Sequence, residues 1–101
     1  QKPQGHGYTI AEVGGGNPYF PTGLQIRGHE FHYSRVLEFN GQESDLVFSM
    51  KKGRGIIGKK DGLCYKNVLA TYTHIHCLGT AGWAPSFIRA AVAWQKAGGL
   101  R

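Results

Sequence analysis

The sequence predicts a small α/β domain, made mostly of β-strands and hairpins and followed by one C-terminal helix. Its first stretches alternate apolar and polar residues with a period of two, as strands with one buried face do. Sixteen glycines and four prolines among 101 residues separate these stretches and indicate short elements joined by tight turns. The last stretch changes to a spacing of three to four, the period of an amphipathic helix. We therefore expect one domain over residues 1–101.

The amino-terminal half contains the segments expected to form the first strands. Residues 1–7 are polar and are expected to be flexible, whereas residues 8–13 alternate as a strand does. A glycine-rich loop precedes a second extended stretch that starts at residue 24 and continues through 29–39. The turn signal Asn40-Gly41 then predicts a hairpin that pairs this stretch with residues 46–50.

The next segment is predicted to turn once and then to run straight. Asp61-Gly62 is a second turn signal, and Gly28 and Gly62 are both interpreted as turn glycines. Residues 68–76 follow as one long predicted strand. Because alternate residues of a strand share a face, His74 and His76 should project the same way.

The carboxyl-terminal stretch predicts a helix of roughly a dozen residues. Pro85 suits a first helical position, and Gly98-Gly99 provides the stop signal. Its apolar residues repeat at helical spacing: Phe87, Ile88, Ala91, Val92 and Trp94. We expect this apolar stripe to pack on the sheet.

Charge and composition narrow the classes of function. Lysine and arginine exceed aspartate and glutamate by twelve to six, and five of the basic residues lie within 51–60. This loop is either a solvated hairpin tip or the surface of a stand-alone module that binds phosphate or nucleic acid. No pattern of a known nucleic-acid motif supports nucleic acid as a partner. No apolar run approaches the ~20 residues that cross a bilayer, so we expect a soluble protein without a membrane partner. The two cysteines lack the spacing of a disulfide framework, so we expect reduced thiols in a cytoplasmic protein.

Histidines carry the clearest chemical signal, because imidazole changes its charge near neutral pH. Four of the five stand in two clusters, His29 and His32 in the first, His74 and His76 in the second. Residues three apart in a strand point to opposite faces, which argues against four ligands meeting at one metal. A small metal-binding domain using the second cluster with Cys77 remains an alternative, as do histidines that only bind their neighbours. We expect no metal.

Two ordered motifs resemble the carboxyl-terminal end of the cobyrinic acid a,c-diamide synthase family. They are Gly-His-Glu-Phe-His-Tyr-Ser at 28–34 and, after Asp-Gly at 61–62, Asn-Val-Leu-Ala-x-Tyr-x-His-x-His at 67–76. The resemblance covers roughly residues 8–95. It implies part of a flavodoxin-like class I glutamine amidotransferase domain, within an ATP-dependent amidoligase that needs Mg²⁺ in its full-length form. The implied substrates are glutamine and a tetrapyrrole that is a corrin precursor. The groups that would be amidated are the a and c carboxylates of cobyrinic acid.

The resemblance also implies roles for particular residues. His74 matches the histidine that takes the thiol proton of the catalytic cysteine, and His76 stands where many related enzymes have an orienting glutamate. Glu30 and His32 are expected either to line the glutamine pocket or to support the sheet. Cys64 and Cys77 lack the glycine-flanked elbow of the nucleophile, which the family carries upstream of the first motif. We therefore expect the isolated chain to be inactive as a glutaminase.

Overall fold

The computed structural model describes residues 2–76 and 78–99. Within these ranges, six antiparallel strands form one sheet, and a helix follows it. The elements are β1 Gly5–Val13, β2 Gln25–His32, a 3-10 turn Glu43–Asp45, β3 Leu46–Lys52, β4 Lys60–Tyr65, β5 Val68–Ala70, β6 His74–Ile75 and α1 Trp83–Lys96. Their order across the sheet is β5-β4-β3-β1-β2-β6. The prediction of a mostly β domain with one C-terminal helix is confirmed.

The core lies on the inner face of the central strands. In β1, Thr9, Ala11 and Val13 are buried, with the period of two that the sequence predicted. Phe48 on β3 is completely buried and packs near the ring of Phe20. The buried apolar cluster comprises Ala11, Val13, Phe20, Ile26, Val47, Phe48 and Met50. This cluster includes residues of β1, β2 and β3, which form the packed centre of the sheet.

The first strand is longer than predicted. It begins at Gly5 and pairs antiparallel with β2 from Gly5, opposite His32, to Glu12, opposite Gln25. Residues 5–7 are therefore part of the sheet because β2 supplies them with backbone partners. Whether residues 1–7 are flexible in solution stays a prediction.

The predicted hairpin around Asn40-Gly41 is wrong. The second strand ends at His32, and β3 pairs with β1 and β4 rather than with β2. The strand β1 lies between β2 and β3 in the sheet, and residues 33–42 form no strand. A turn signal identifies where the chain bends, but the buried faces of distant strands decide which strands pair.

The interpretation of Asp61-Gly62 as a turn is also wrong. Both residues belong to β4, and Asp61 is completely buried. Gly62 has a φ of +69°, and a Cβ on it would lie 2.8 Å from the Phe48 ring. Glycine is needed there for backbone shape inside a strand rather than for a bend between strands. The turn between β3 and β4 lies instead in the basic, glycine-rich segment 53–59.

The predicted single strand over 68–76 is divided in two. β5 lies at one edge of the sheet and β6 at the other, and only Thr71, Tyr72 and Thr73 connect them. The chain from Ala70 to His74 spans at most about 14 Å. Six strands side by side in a flat sheet would place the two edges about 24 Å apart. The sheet must therefore curl, so that its edges approach each other beneath this short link.

The C-terminal helix is confirmed, but its predicted packing is wrong. It begins at Trp83, two residues before Pro85, and ends at Lys96. Trp83 packs against the edge of the core, and Phe87 stacks near Tyr19 with ring centroids 5.9 Å apart. The remaining large apolar side chains of the stripe are exposed: Ile88, Val92 and Trp94. The helix therefore approaches the core near its start, through Trp83 and Phe87, and the later part of its stripe is exposed.

Candidate active site

The second strand sends its two histidines to opposite faces, as the sequence predicted. Glu30 is buried and His32 half-buried on the inner face, whereas His29 and Phe31 are exposed on the outer face. The pairing with β1 is regular through this region, so no bulge brings the two histidines together. The first motif therefore builds two separate groups of side chains, one on each face.

On the inner face, Glu30 holds the β3–β4 loop. Its Oε1 accepts the backbone N–H of Arg54 at 2.5 Å, and its Oε2 accepts that of Gly55 at 3.1 Å. His32 Nε2 lies 3.0 Å from Oε2. Burial alone would raise the pKa of Glu30, but the hydrogen bonds from Arg54, His32 and Gly55 outweigh it and lower that pKa. The carboxylate is thus charged and fully engaged inside the fold.

The ring of His32 links Glu30 to the β5–β6 segment. Its Nδ1 lies 2.8 Å from the carbonyl oxygen of Ser34, so both ring nitrogens face acceptors. Both ring nitrogens are therefore engaged within the fold. The ring also stacks on Tyr72 with a centroid distance of 3.8 Å, and the Tyr72 hydroxyl lies 3.0 Å from Ser34 Oγ. His32 therefore packs the link between β5 and β6 onto the end of β2.

On the outer face, His74 pairs with His29. The two residues are direct partners in the β2–β6 pairing, and their rings stack with centroids 5.1 Å apart. Gly28 lies in the middle of β2, contrary to its interpretation as a turn glycine, and a Cβ there would stand 2.2 Å from the His74 carbonyl oxygen. Its missing side chain permits this close approach. The exposed His74 ring has no hydrogen-bond partner within residues 2–76 and 78–99.

His76 lies just beyond β6 and is exposed. Its Nδ1 accepts the backbone N–H of Leu78 at 3.1 Å, which fixes the ring over the turn that follows. The sequence predicted His74 and His76 on one face of a long strand, but β6 ends at Ile75. His76 therefore lies outside the strand, and the alternation of a strand does not place its ring on the same face as that of His74. Cys77, which the metal alternative used, lies outside the described residues.

Sequence reasoning missed the buried carboxylate of Asp61. Its Oδ1 accepts the backbone N–H groups of Gly62 at 2.9 Å and Tyr72 at 3.0 Å, and its Oδ2 accepts that of Thr73 at 2.9 Å. The Asp-Gly pair gave a turn signal, and no local pattern distinguishes it from a buried strand acid. Only the tertiary contacts place Asp61 against the residues that precede His74.

The thiol of Cys64 has none of the features of an activated nucleophile. Cys64 lies within β4, and burial, followed by the charge of Asp45, raises its pKa. A raised pKa leaves less thiolate at neutral pH, which is the opposite of what nucleophilic catalysis requires. The raised pKa is consistent with the prediction that Cys64 has no role in catalysis, which stays a prediction.

The basic loop does not fit a nucleotide phosphate site. Residues 53–59 have the glycine and lysine spacing of a phosphate-binding loop, but Lys60 stands where that loop has a serine or threonine. The segment joins two antiparallel strands instead of leading into a helix N-terminus. Two of its backbone N–H groups already bind Glu30. Its side chains form the solvated tip of a hairpin.

The part of the chain that the structure describes contains neither a metal-binding cluster nor a membrane-spanning helix. Across 2–76 and 78–99, no group of three or more His, Cys, Asp or Glu side chains is arranged to hold a metal ion. The one long helix in these ranges is too short and too polar to cross a membrane.

Comparison with known proteins gives one consistent result. The domain model described as CobB/CobQ-like glutamine amidotransferase matches residues 1–82. A protein of Methanosphaera stadtmanae named cobyrinate a,c-diamide synthase is 49% identical over 83 residues, which cover 79% of this chain and 18% of that protein. One of the same name from Magnetococcus marinus is 38% identical over 97 residues, 96% of this chain and 20% of the relative.

The chain spans about a fifth of the length of these curated relatives. No solved structure matches it significantly. Both motifs that carry the resemblance, at 28–34 and 67–76, lie within the 82 residues that the domain model matches. The chain therefore belongs to the family of CobB/CobQ-like glutamine amidotransferase domains.

Proposed function

We propose that this chain is the carboxyl-terminal piece of the glutaminase domain of a cobyrinate a,c-diamide synthase. The full-length enzyme would hydrolyse glutamine and use the ammonia to amidate ATP-activated a and c carboxylates of cobyrinic acid in the cytoplasm. The relatives' names and the family membership support this assignment. Neither alternative, a phosphate or nucleic-acid module or a histidine metal carrier, has support from the comparisons.

His74 is proposed as the base. It would accept the proton of a cysteine thiol, and the resulting thiolate would attack the glutamine carboxamide carbon. The protonated His74 would then return its proton to the departing nitrogen, which leaves as ammonia, and water would hydrolyse the thioester to glutamate. The nucleophile is proposed to lie in a part of the longer protein that precedes this chain.

The observation that carries this proposal is that the His74 ring is exposed and has no hydrogen-bond partner among the described residues. It stands exposed on an edge strand, held by the His29 ring on one side, and no described residue hydrogen bonds to its nitrogens. A base needs such a free nitrogen to receive a thiol, whereas the nitrogens of His32 are both engaged inside the fold. Unlike His32, His74 thus has both ring nitrogens available to a group from outside the chain, and His76 has one nitrogen held by Leu78.

Supporting roles are proposed for the other motif residues. His76, whose Nδ1 is held by Leu78 N–H, keeps Nε2 available for an orienting role toward His74 or its partner. Glu30 and His32 support the sheet from the inner face, and lining of the glutamine pocket remains part of the proposal for them. ATP and Mg²⁺ are assigned to other parts of the longer protein, because the 53–59 loop does not fit a phosphate site.

The fold is proposed to be one piece of a flavodoxin-like class I domain. The described strands pair antiparallel, so the parallel core of such a domain would come from the preceding part of the longer protein. The apolar stripe of α1, exposed in this chain, would then have a surface on which to pack.

Glutaminase assays of the full-length protein test this proposal. We expect His74→Ala to lower turnover by about 10²-fold or more, the usual contribution of a general base. His6→Ala, a matched change of an exposed histidine on β1, which β2 separates from β6, should leave turnover within about twofold. The 101-residue chain alone should release no ammonia from glutamine. Undiminished turnover of His74→Ala would refute the assignment.

A further inference from the structure

The fully buried Asp61 binds the backbone just before His74. It is 0% exposed, and its carboxylate accepts three backbone N–H groups, two of them from Tyr72 and Thr73. Because those two residues lie between β5 and β6, no neighbouring strand supplies their N–H groups with partners. A buried N–H without an acceptor is costly, so the carboxylate stabilises the short link, of which Thr73 is buried and Tyr72 partly buried.

The link is held on both sides. The Tyr72 ring stacks on His32, and the Thr73 N–H has a second acceptor in Thr71 Oγ1 at 2.9 Å. Thr73 itself is 2% exposed and leads directly into β6. A displacement of Tyr72 and Thr73 would therefore move the first residue of β6, which is His74.

We infer that Asp61 is a positioning residue for His74. Its carboxylate fixes the backbone of Tyr72 and Thr73 and so sets the direction from which the His74 ring leaves the sheet edge. Proton transfer requires the thiol and the imidazole nitrogen within hydrogen-bond reach, and a misplacement of about 1 Å costs about 10²-fold in rate. This inference rests on the proposed role of His74 as the base.

The test replaces Asp61 with asparagine in the full-length protein. An amide has one acceptor oxygen, so the N–H of either Tyr72 or Thr73 would face an NH₂ group. We expect kcat for glutamine hydrolysis to fall by about 10–100-fold with KM for glutamine little changed. Amidation supplied with ammonium instead of glutamine should stay unchanged, because it bypasses His74. Asp45→Asn, which removes a carboxylate outside this link, is the matched control and should keep the original kcat.

The outcomes separate this inference from the proposed function. Glutaminase loss in His74→Ala with an unchanged kcat in Asp61→Asn would overturn the role of Asp61 and leave His74 as the base. Full activity of both variants would overturn both. A parallel fall of glutamine-dependent and ammonium-dependent activity would mean that Asp61→Asn disturbs the whole fold.

In that last case, amide hydrogen exchange in the unchanged protein decides the question. We expect the N–H groups of Tyr72 and Thr73 to exchange at least about 100-fold more slowly than unprotected amides, although neither lies in a strand. Exchange at the unprotected rate would show that the carboxylate does not hold the link and would overturn the inference.

Discussion

Changing Glu30 to glutamine tests the buried hydrogen-bond cluster that joins β2 to the β3–β4 loop. The substitution nearly preserves volume but removes the charge and one acceptor. If the amide oxygen stays with Arg54 N–H, the amide NH₂ faces Gly55 N–H, which Oε2 accepts at 3.1 Å in the present structure. If the amide turns over, Arg54 N–H loses its acceptor. Either orientation leaves one backbone donor unpaired, which costs about 1–3 kcal/mol of unfolding free energy.

The same cluster predicts how this difference depends on pH. Burial raises the pKa of Glu30, but the hydrogen bonds from Arg54, His32 and Gly55 lower it by more than burial raises it. The folded-state pKa of Glu30 therefore lies below the unfolded value. Such a carboxyl stabilises the fold above the unfolded pKa, about 4.3 for glutamate. That stabilisation is lost as pH falls through the folded-state pKa. We expect the unfolding free energies of the unchanged chain and Glu30→Gln to differ fully at neutral pH. This difference should shrink below about pH 4.

Urea unfolding of the 101-residue chain measures both effects. Glu12→Gln is the control, because its carboxylate pairs with Lys51 at 3.8 Å on the surface and should contribute less than about 1 kcal/mol. Equal unfolding midpoints for Glu30→Gln and the unchanged chain at neutral pH would refute the hydrogen-bond argument. A difference that persists undiminished at about pH 3 would refute the part played by the charge.

Two further predictions follow from single contacts. The pKa of Cys64, raised by burial and then by Asp45, should make its alkylation by iodoacetamide slower than that of free cysteine at neutral pH; peptide mapping by mass spectrometry measures the rate, and faster alkylation would contradict this. Gly28→Ala should push β6 away, because the new Cβ would stand 2.2 Å from the His74 carbonyl oxygen, whereas Gly16→Ala meets nothing within 4 Å. Loss of the ring contact between His29 and His74 in nuclear Overhauser spectra, retained in Gly16→Ala, is the expected result.

The candidate site was predictable where one short segment defines it. The spacing of His29 and His32 placed them on opposite faces, and the structure confirms this because β2 is regular there. The partner of each histidine was not predictable. His29 contacts His74 because β2 pairs with β6. His32 contacts Tyr72, which lies forty residues later in the chain, between β5 and β6. Such contacts depend on which strands pair, and local periodicity carries no information about that.

Asp61 shows the same limit most clearly. In the sequence, an aspartate before a glycine has the residue types of a turn, since both favour tight backbone bends. In the fold, the glycine supplies a positive φ within β4, and the aspartate turns inward to the β5–β6 link. The same two residues serve either purpose locally, so only the approach of residues 71–73 reveals which one applies.

By itself, the sequence determined the period of the first strand, the mostly β character, the C-terminal helix and the family of the domain. These follow from side-chain periods and from motifs within single segments. The tertiary structure decided the strand order, the division of 68–76 and the buried hydrogen bonds of Glu30 and Asp61. The physical reason is that strand pairing and carboxylate burial are settled by the total burial and hydrogen bonding of segments far apart in the chain. The short link before His74 forms only when the curled sheet brings its two edges together.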